Sequence, residues 1–194
     1  MRDRDNTGNR VEVSGSQIGN DLVGRDKNVL NVNLYDSSEK VFAYIQSLSL
    51  KFKKEQEQDE KIDSLIEGLI YYTNSDGVVL GLDKKLEDTE FEINLKYARS
   101  AKERFSKKLF KFEYFQSAQE IFVFLLAKIE SNFAMFIYPK LIESTKREEV
   151  LDLIEKHIIK PIYDELGDNV LGLNQVDIYG MMYFLTGNCH LDWK

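Results

Sequence analysis

The sequence predicts a mainly α-helical protein, a bundle of about five to seven helices with a short β-rich arm at its N-terminus. Apolar residues make up 43% of the 194 positions, which is enough to bury a core. Only two prolines occur, so long helices are permitted, because proline is the main helix breaker. From residue 36 onward the apolar residues recur at helical spacing, whereas before it glycine and asparagine separate short runs of β-forming residues.

Residues 1–35 form the predicted arm, a glycine- and asparagine-rich oligomerisation or docking segment. Strands this short cannot bury a core alone, so we expect another chain to supply the missing edges and core. Identical arms, each with five basic and five acidic groups, could meet symmetrically, which predicts a homo-oligomer. Adding a strand to the sheet of a different protein is the alternative. The residues expected at a shared axis are Ile18, Leu22, Val23, Val29 and Val32.

Residues 36–194 form the predicted helical interaction domain. Its first part has N-cap candidates at residues 36–39, an apolar stripe, a charged patch at 51–61, and a second stripe that includes Ile62, Leu65 and Ile66. These stretches are either two helices or one long helix exposed in the middle. Turn residues at 74–77 end this part.

The middle of the domain is predicted to hold a short helix over 82–86 and a longer one over about 90–111. The buried face of the longer helix is expected to consist of Ala98, Ala101, Phe105, Leu109 and Phe112. The next helix should begin with Ser117 as its cap and stop at Pro139. Because it is apolar nearly all round, we expect it to be the central helix of the bundle.

The last part should contain a helix over 148–165, bent or split by Pro161, and a final helix over 175–185. Gly187 is the expected left-handed residue after that helix. Trp193 lies one residue from the end, where chains normally fray, so a large aromatic there suggests docking into the bundle.

Composition also bounds the location of the protein. A single cysteine excludes an intrachain disulfide and fits a reducing compartment. No apolar run follows the first residues, which argues against a signal peptide. The most apolar stretch, residues 121–138, contains Lys128 and Glu130, which argues against a membrane span. We therefore expect a cytoplasmic protein with no membrane partner.

One face of the predicted helix at 96–111 is strongly basic. It could contact phosphate or nucleic acid, but charge runs are usually solvated faces, and this one could also pair with the acidic remainder of the chain. The whole net charge of −7 falls on residues 36–194, which disfavours non-specific binding to nucleic acid. The candidate contact residues are Lys96, Arg99, Arg104, Lys107, Lys108 and Lys111.

Cys189 and His190 are the residues that could suggest catalysis or metal binding. A nucleophile pair needs side chains that meet, and neighbours in extended chain point opposite ways. A zinc site would need more ligands, and His157 is the only other histidine. The glycines at 19 and 24 match neither the P-loop nor the dinucleotide-binding pattern. We expect a small buried thiol, an ordinary ring, no cofactor and no enzymatic activity.

The C-terminal sequence YGMMYFLTGNCHLDW, residues 179–193, resembles the ending of a C-terminal domain of bacterial ABC-three-component conflict systems. Residues 117–122 (SAQEIF) and 136–139 (FIYP) are similar to the middle of that domain, and the resemblance covers roughly 38–194. The arm, with IGNDLVGRD at 18–26, resembles glycine-punctuated segments that often precede effector-associated domains of bacterial defence proteins.

The resemblance implies a non-catalytic interaction and assembly subunit of an anti-phage or mobile-element conflict system. Such systems combine an ABC-type ATPase, a middle component, and a protein whose C-terminal domain couples to that machinery. The coupling domain often follows a toxic effector, but only the arm precedes residue 36 here, so we expect an adaptor rather than a nuclease or protease. The alternative expectation is a nucleic-acid-binding regulator that uses the basic face at 96–111.

Overall fold

The computed structural model describes residues 33–34, 36–74 and 81–194. The predicted arm, with Ile18, Leu22, Val23, Val29 and Val32, therefore lies almost wholly outside the described residues. Within the described part all regular structure is helical, which confirms the mainly helical fold class. The α-helices are α1 Ser38–Glu57, α2 Glu67–Thr73, α3 Gly81–Leu86, α4 Leu95–Phe112, α5 Gln116–Asn132, α6 Tyr138–Ile142, α7 Arg147–Ile154, α8 Lys160–Leu166 and α9 Gln175–Gly187.

The chain between α1 and α2 follows the two-helix alternative, but α2 starts later than the apolar stripe predicts. Residues 60–66 are not helical. The backbone N–H of Ile62 donates to the carbonyl of Tyr114, and that of Ile66 donates to Gln119 Oε1. These long-range hydrogen bonds hold the segment against α4 and α5 in place of the local bonds of a helix.

Helix α4 buries the predicted apolar face, and all five of its residues are at most 7% exposed. The helix begins at Leu95 rather than near residue 90, after a 3-10 turn over Glu92–Asn94. Five apolar positions at helical spacing were sufficient to fix which side of this helix faces the core.

Helix α5 is the central helix, as predicted, but its two ends differ from expectation. Ser117 is not the cap, since α5 begins at Gln116; its backbone N–H and hydroxyl donate instead to the Glu55 carboxylate on α1. Pro139 does not stop the helix, because a π-helical turn at Phe133–Ile137 leads directly into α6. In that turn the N–H of Tyr138 donates to the carbonyl of Phe133, five residues earlier, as in a π-helix.

The run from α5 through α6, Gln116–Ile142, is the one helix in the described part that is long and apolar enough to cross a membrane by length and composition. Half of its apolar window is buried inside the protein. A buried core helix meets the same criterion of length and composition. Helix α5 packs here against α1, α2, α4 and α9. The contacts of α5 therefore account for its apolar character.

Helices α7 and α8 form one continuous run through a second π-helical turn at Glu155–Ile159, placed just before Pro161 as the first π turn is placed before Pro139. The two π turns are in contact. The His157 ring stacks on Phe136 with centroids 4.3 Å apart, and Asn132 Nδ2 donates to the His157 carbonyl at 2.9 Å. A rigid corner therefore joins the two runs.

Helix α9 packs most extensively on α4, and Gly180 is the point of closest approach. A Cβ at Gly180 would lie 2.4 Å from the carbonyl oxygen of Ala101, so only glycine fits. The helix ends at Gly187. This glycine is helical, whereas the sequence predicted a left-handed residue at this position. The left-handed residue is Cys189, with φ 65°, and the N–H of His190 closes the turn on the carbonyl of Leu185.

Candidate functional site

The C-terminal tail docks into the bundle through Trp193, as predicted. The indole is 4% exposed, and its Nε1 donates to Thr186 Oγ1 at 2.9 Å. The ring packs on Phe91 and Phe133, with centroids 4.8 and 5.1 Å away. The tail thereby joins α9 to the start of α4 and to the end of α5.

His190 lies in an aromatic and acidic cluster rather than beside a nucleophile. Its ring contacts Tyr71 and Tyr72, with centroids 4.9 and 5.1 Å away, and its Nδ1 lies 3.6 Å from Glu130 Oε1. The Tyr72 hydroxyl donates to the other oxygen of Glu130 at 2.9 Å. Burial, and then the charge and hydrogen bond of Glu130, raise the pKa of Tyr72. The cluster ties the tail to α2 and α5.

Cys189 departs from the sequence-based prediction of a buried thiol, because its side chain is exposed. Its left-handed backbone turns the chain there. Within the described part of the chain, no hydrogen bond or ion pair joins Cys189 to His190. The described residues also contain no group of three or more histidine, cysteine, aspartate or glutamate side chains that could hold a metal ion.

The predicted basic ridge on α4 is extensively paired with the rest of the molecule. Arg99 forms a bidentate pair with Asp83 on α3, with its Nε and Nη2 at 2.9 and 2.6 Å. Lys107 pairs with Glu103 at 2.6 Å. Lys96 and Lys111 are exposed and form no ion pair with a described residue.

The other two ridge residues, Arg104 and Lys108, converge on Asp177, a fully buried carboxylate on α9. Arg104 Nε lies 2.8 Å from Asp177 Oδ1, and Lys108 Nζ lies 2.7 Å from Oδ2. Asp177 also accepts from the backbone N–H of Asn174 in a capping box. Burial alone would raise the Asp177 pKa, but these hydrogen bonds and the Lys108 charge outweigh it, so the pKa lies below its ordinary value.

Asp177 is the central ionised residue here, and sequence reasoning missed it. The spacing of Asn174 and Asp177 fits a capping box and could have marked the start of α9. The pairing of Asp177 with Arg104 could not be predicted from local sequence patterns, because the two residues are 73 positions apart.

A surface of mixed aromatic and cationic character lies over the contact between α4 and α9. We name it the α4–α9 seam, and it consists of Tyr97, Arg104, Val176 and Tyr179. The Tyr97 ring is 44% exposed and lies 5.9 Å from that of Tyr179, while the Arg104 side chain is 47% exposed and Val176 37% exposed. Tyrosine and arginine are the residue types enriched at binding hot spots.

Burial raises the pKa of two tyrosines at the seam, Tyr179 within it and Tyr183 next to Tyr97. The Tyr179 hydroxyl donates to Glu155 at 3.2 Å, and burial, followed by the Glu155 charge and hydrogen bond, raises its pKa. Burial also raises the pKa of Tyr183 to about 12. Both phenols are therefore neutral at physiological pH rather than acid–base groups.

The fold and these contacts define a helical domain. Its C-terminal residues hold several elements together, and the α4–α9 seam is exposed on its surface. The family model described as C-terminal domain 9 of the ABC-three component (ABC-3C) systems matches residues 81–193, more than half of the chain. The chain belongs to this family. The match begins at α3, so α1 and α2 lie outside it. No curated protein and no solved structure matches the chain.

Proposed function

We propose that this protein is a non-catalytic assembly subunit of an ABC-three-component conflict system, coupling in the cytoplasm to an ABC-type ATPase complex. The observation that carries the proposal is that polar and aromatic residues of the family-matched region, 81–193, form structural contacts between elements of the fold. Asp177 joins α9 to α4, Asn188 joins the end of α9 to α2, and Trp193 joins the tail to α9. A domain built this way presents a fixed surface to other proteins.

The contacts of His190 favour assembly over catalysis. Nucleophilic catalysis needs a base within hydrogen-bond reach of the nucleophile and a third group that orients the base. Here the imidazole faces Glu130 and two tyrosine rings, and Cys189 lies in an exposed left-handed turn. His190 thus serves the junction between the tail and α2.

The alternative of a nucleic-acid-binding regulator is less well supported by the ridge at 96–111. Binding to nucleic acid requires basic side chains that are free to neutralise phosphates and so displace the counterions held there. Arg99, Lys107 and Lys108 are in ion pairs with carboxylates of the same molecule, and Asp177 takes the Nε of Arg104. Lys96 and Lys111 are too few to form a nucleic-acid track.

Self-association through the arm belongs to the same proposal. Residues 1–35 combine short β-forming runs with a neutral balance of charge, so copies would not repel strongly. Light scattering of the full chain and of a chain that starts at Asp36 tests this step. A defined oligomer that becomes smaller without the arm supports it, and two monomers at micromolar concentration contradict it.

Co-expression with the other components of the same system tests the central proposal. The tagged protein should retain the ATPase or the middle component through a gel-filtration column, and Cys189→Ser should retain it equally well. Absence of both components from the wild-type complex would contradict the assembly role. Loss of defence in Cys189→Ser with an intact complex would instead indicate catalysis.

A further inference from the structure

We propose that the α4–α9 seam binds a segment of a partner protein that presents an aspartate or glutamate, and that Arg104 receives its carboxylate. This inference rests on the proposed assembly function and names the surface and the chemistry of its partner. It is carried by the way Asp177 holds Arg104, by the aromatic surroundings of Arg104, and by the charges along the rest of α4.

Asp177 fixes the guanidinium of Arg104 in a position suited to binding. The buried carboxylate takes only Nε, at 2.8 Å, while half of the side chain remains exposed. The described part of the chain offers no hydrogen-bond or ion-pair partner to the two terminal nitrogens. An arginine anchored by Nε presents these nitrogens as a fork that matches a carboxylate, with less side-chain entropy to lose.

Aromatic and apolar side chains are exposed on both helices of the seam that carries this guanidinium. The Arg104 charge acts on the Tyr97 hydroxyl, where it opposes the rise in pKa that burial causes. Tyr179 and Val176 extend the surface along α9, and Gly180 allows the two helices to lie close together beneath it. An arginine on the same surface as exposed tyrosines is typical of a protein-binding hot spot.

The charges that flank Arg104 favour one or two carboxylates over a nucleic acid. Glu103 and Asp83 are on or beside α4, with side chains 67% and 53% exposed, and each neutralises a neighbouring cation. Glu155 is at the other side, bonded to Tyr179. A polyphosphate chain would meet these carboxylates at several points, whereas a single aspartate or glutamate needs only the Arg104 fork.

The test is a matched set of variants in the full chain, co-expressed with the other components of the system. Arg104→Lys keeps a cation beside Asp177 but removes the fork, and Tyr97→Ala removes the exposed ring. We expect each to weaken capture of the partner by about tenfold or more while the melting temperature changes little.

Two controls separate binding from folding. Lys108→Gln disturbs the buried side of the Asp177 cluster, where Lys108 is 21% exposed, so it should lower the melting temperature and leave capture unchanged. Tyr114→Ala removes a tyrosine of similar exposure, 51%, from the turn that follows α4, and should change neither the melting temperature nor capture.

The outcomes distinguish this inference from the function on which it rests. If the wild-type protein captures neither component, both are overturned. If the wild type captures a component and Arg104→Lys and Tyr97→Ala capture it equally well, only the seam proposal is overturned. Displacement of the partner by a short DNA duplex, or a change of the protein's own oligomeric state in the seam variants, also overturns it, because the occupant is then a nucleic acid or a second copy.

Discussion

The C-terminal tail after α9 and helix α4 differ in how the fold uses their large and charged side chains. The tail turns inward, so that Trp193 and His190 contact other elements. Helix α4 buries its apolar face and keeps Tyr97 and Arg104 half exposed. An unusual sequence can therefore mark residues that pack against the core, whereas an ordinary amphipathic helix can carry the exposed surface that is available for binding.

The largest expected effect falls on the tail. Trp193→Ala should destabilise the protein by about 3–5 kcal/mol, because it leaves a cavity beside Phe91 and Phe133 and frees the Thr186 hydroxyl. Phe110→Ala on α4, where the side chain is 71% exposed, is the control and should change stability by less than about 0.5 kcal/mol. Urea unfolding measures the free energy of unfolding of both variants. Equal losses would show that the tail matters no more to stability than the exposed surface of α4.

The second effect concerns the two glycines of α9. Gly180→Ala should cost about 3 kcal/mol, because the new Cβ meets the backbone oxygen of Ala101, which cannot move aside. Gly187→Ala should be near neutral, since its Cβ meets the flexible end of Lys102 and alanine favours the helix. Thermal unfolding of the pair checks this, and a larger loss at Gly187 would contradict the close contact between α4 and α9.

The third effect depends on pH. The Asp177 pKa is lowered in the folded state, so its stabilisation is fully present above the unfolded pKa near 4 and is lost as pH falls through the folded value. At neutral pH, Asp177→Asn should be less stable than wild type by about 2 kcal/mol, because charged hydrogen bonds are lost. The difference between the two proteins should shrink as the pH falls below the unfolded pKa and through the lower folded pKa. A difference that does not shrink in acid would show that Asp177 is not the titrating group.

Sequence patterns were sufficient for elements whose burial is decided locally. The apolar face of α4, the central place of α5 and the docking of Trp193 all follow from residues that repeat at helical spacing or are too large to leave exposed. The helical spacing of Ile62, Leu65 and Ile66 gave the wrong structure, because Gln119 and Tyr114 supply competing hydrogen bonds from distant positions.

The candidate site was predictable in part. The basic residues of α4 are visible in sequence, but their pairing with Asp83 and Asp177 is not, because it depends on how α3 and α9 pack. The π turns before Pro139 and Pro161 were missed for a related reason, since a proline inside a packed helix can be accommodated rather than end it.

The smallest expected effect is at Cys189, the exposed residue inside an otherwise inward-facing turn. Its φ of 65° lies in the left-handed region, which costs a non-glycine residue about 1 kcal/mol. Cys189→Gly removes that strain but adds freedom to the unfolded chain, a change of similar size and opposite sign. We therefore expect thermal stability within about 1 kcal/mol of wild type and unchanged partner capture.

Cys189→Val is the matched variant, because a β-branched residue tolerates this backbone poorly, and it should be clearly less stable than Cys189→Gly. If Cys189→Gly instead abolishes defence while stability and capture are unchanged, the thiol has a chemical role and the tail is more than a packing element.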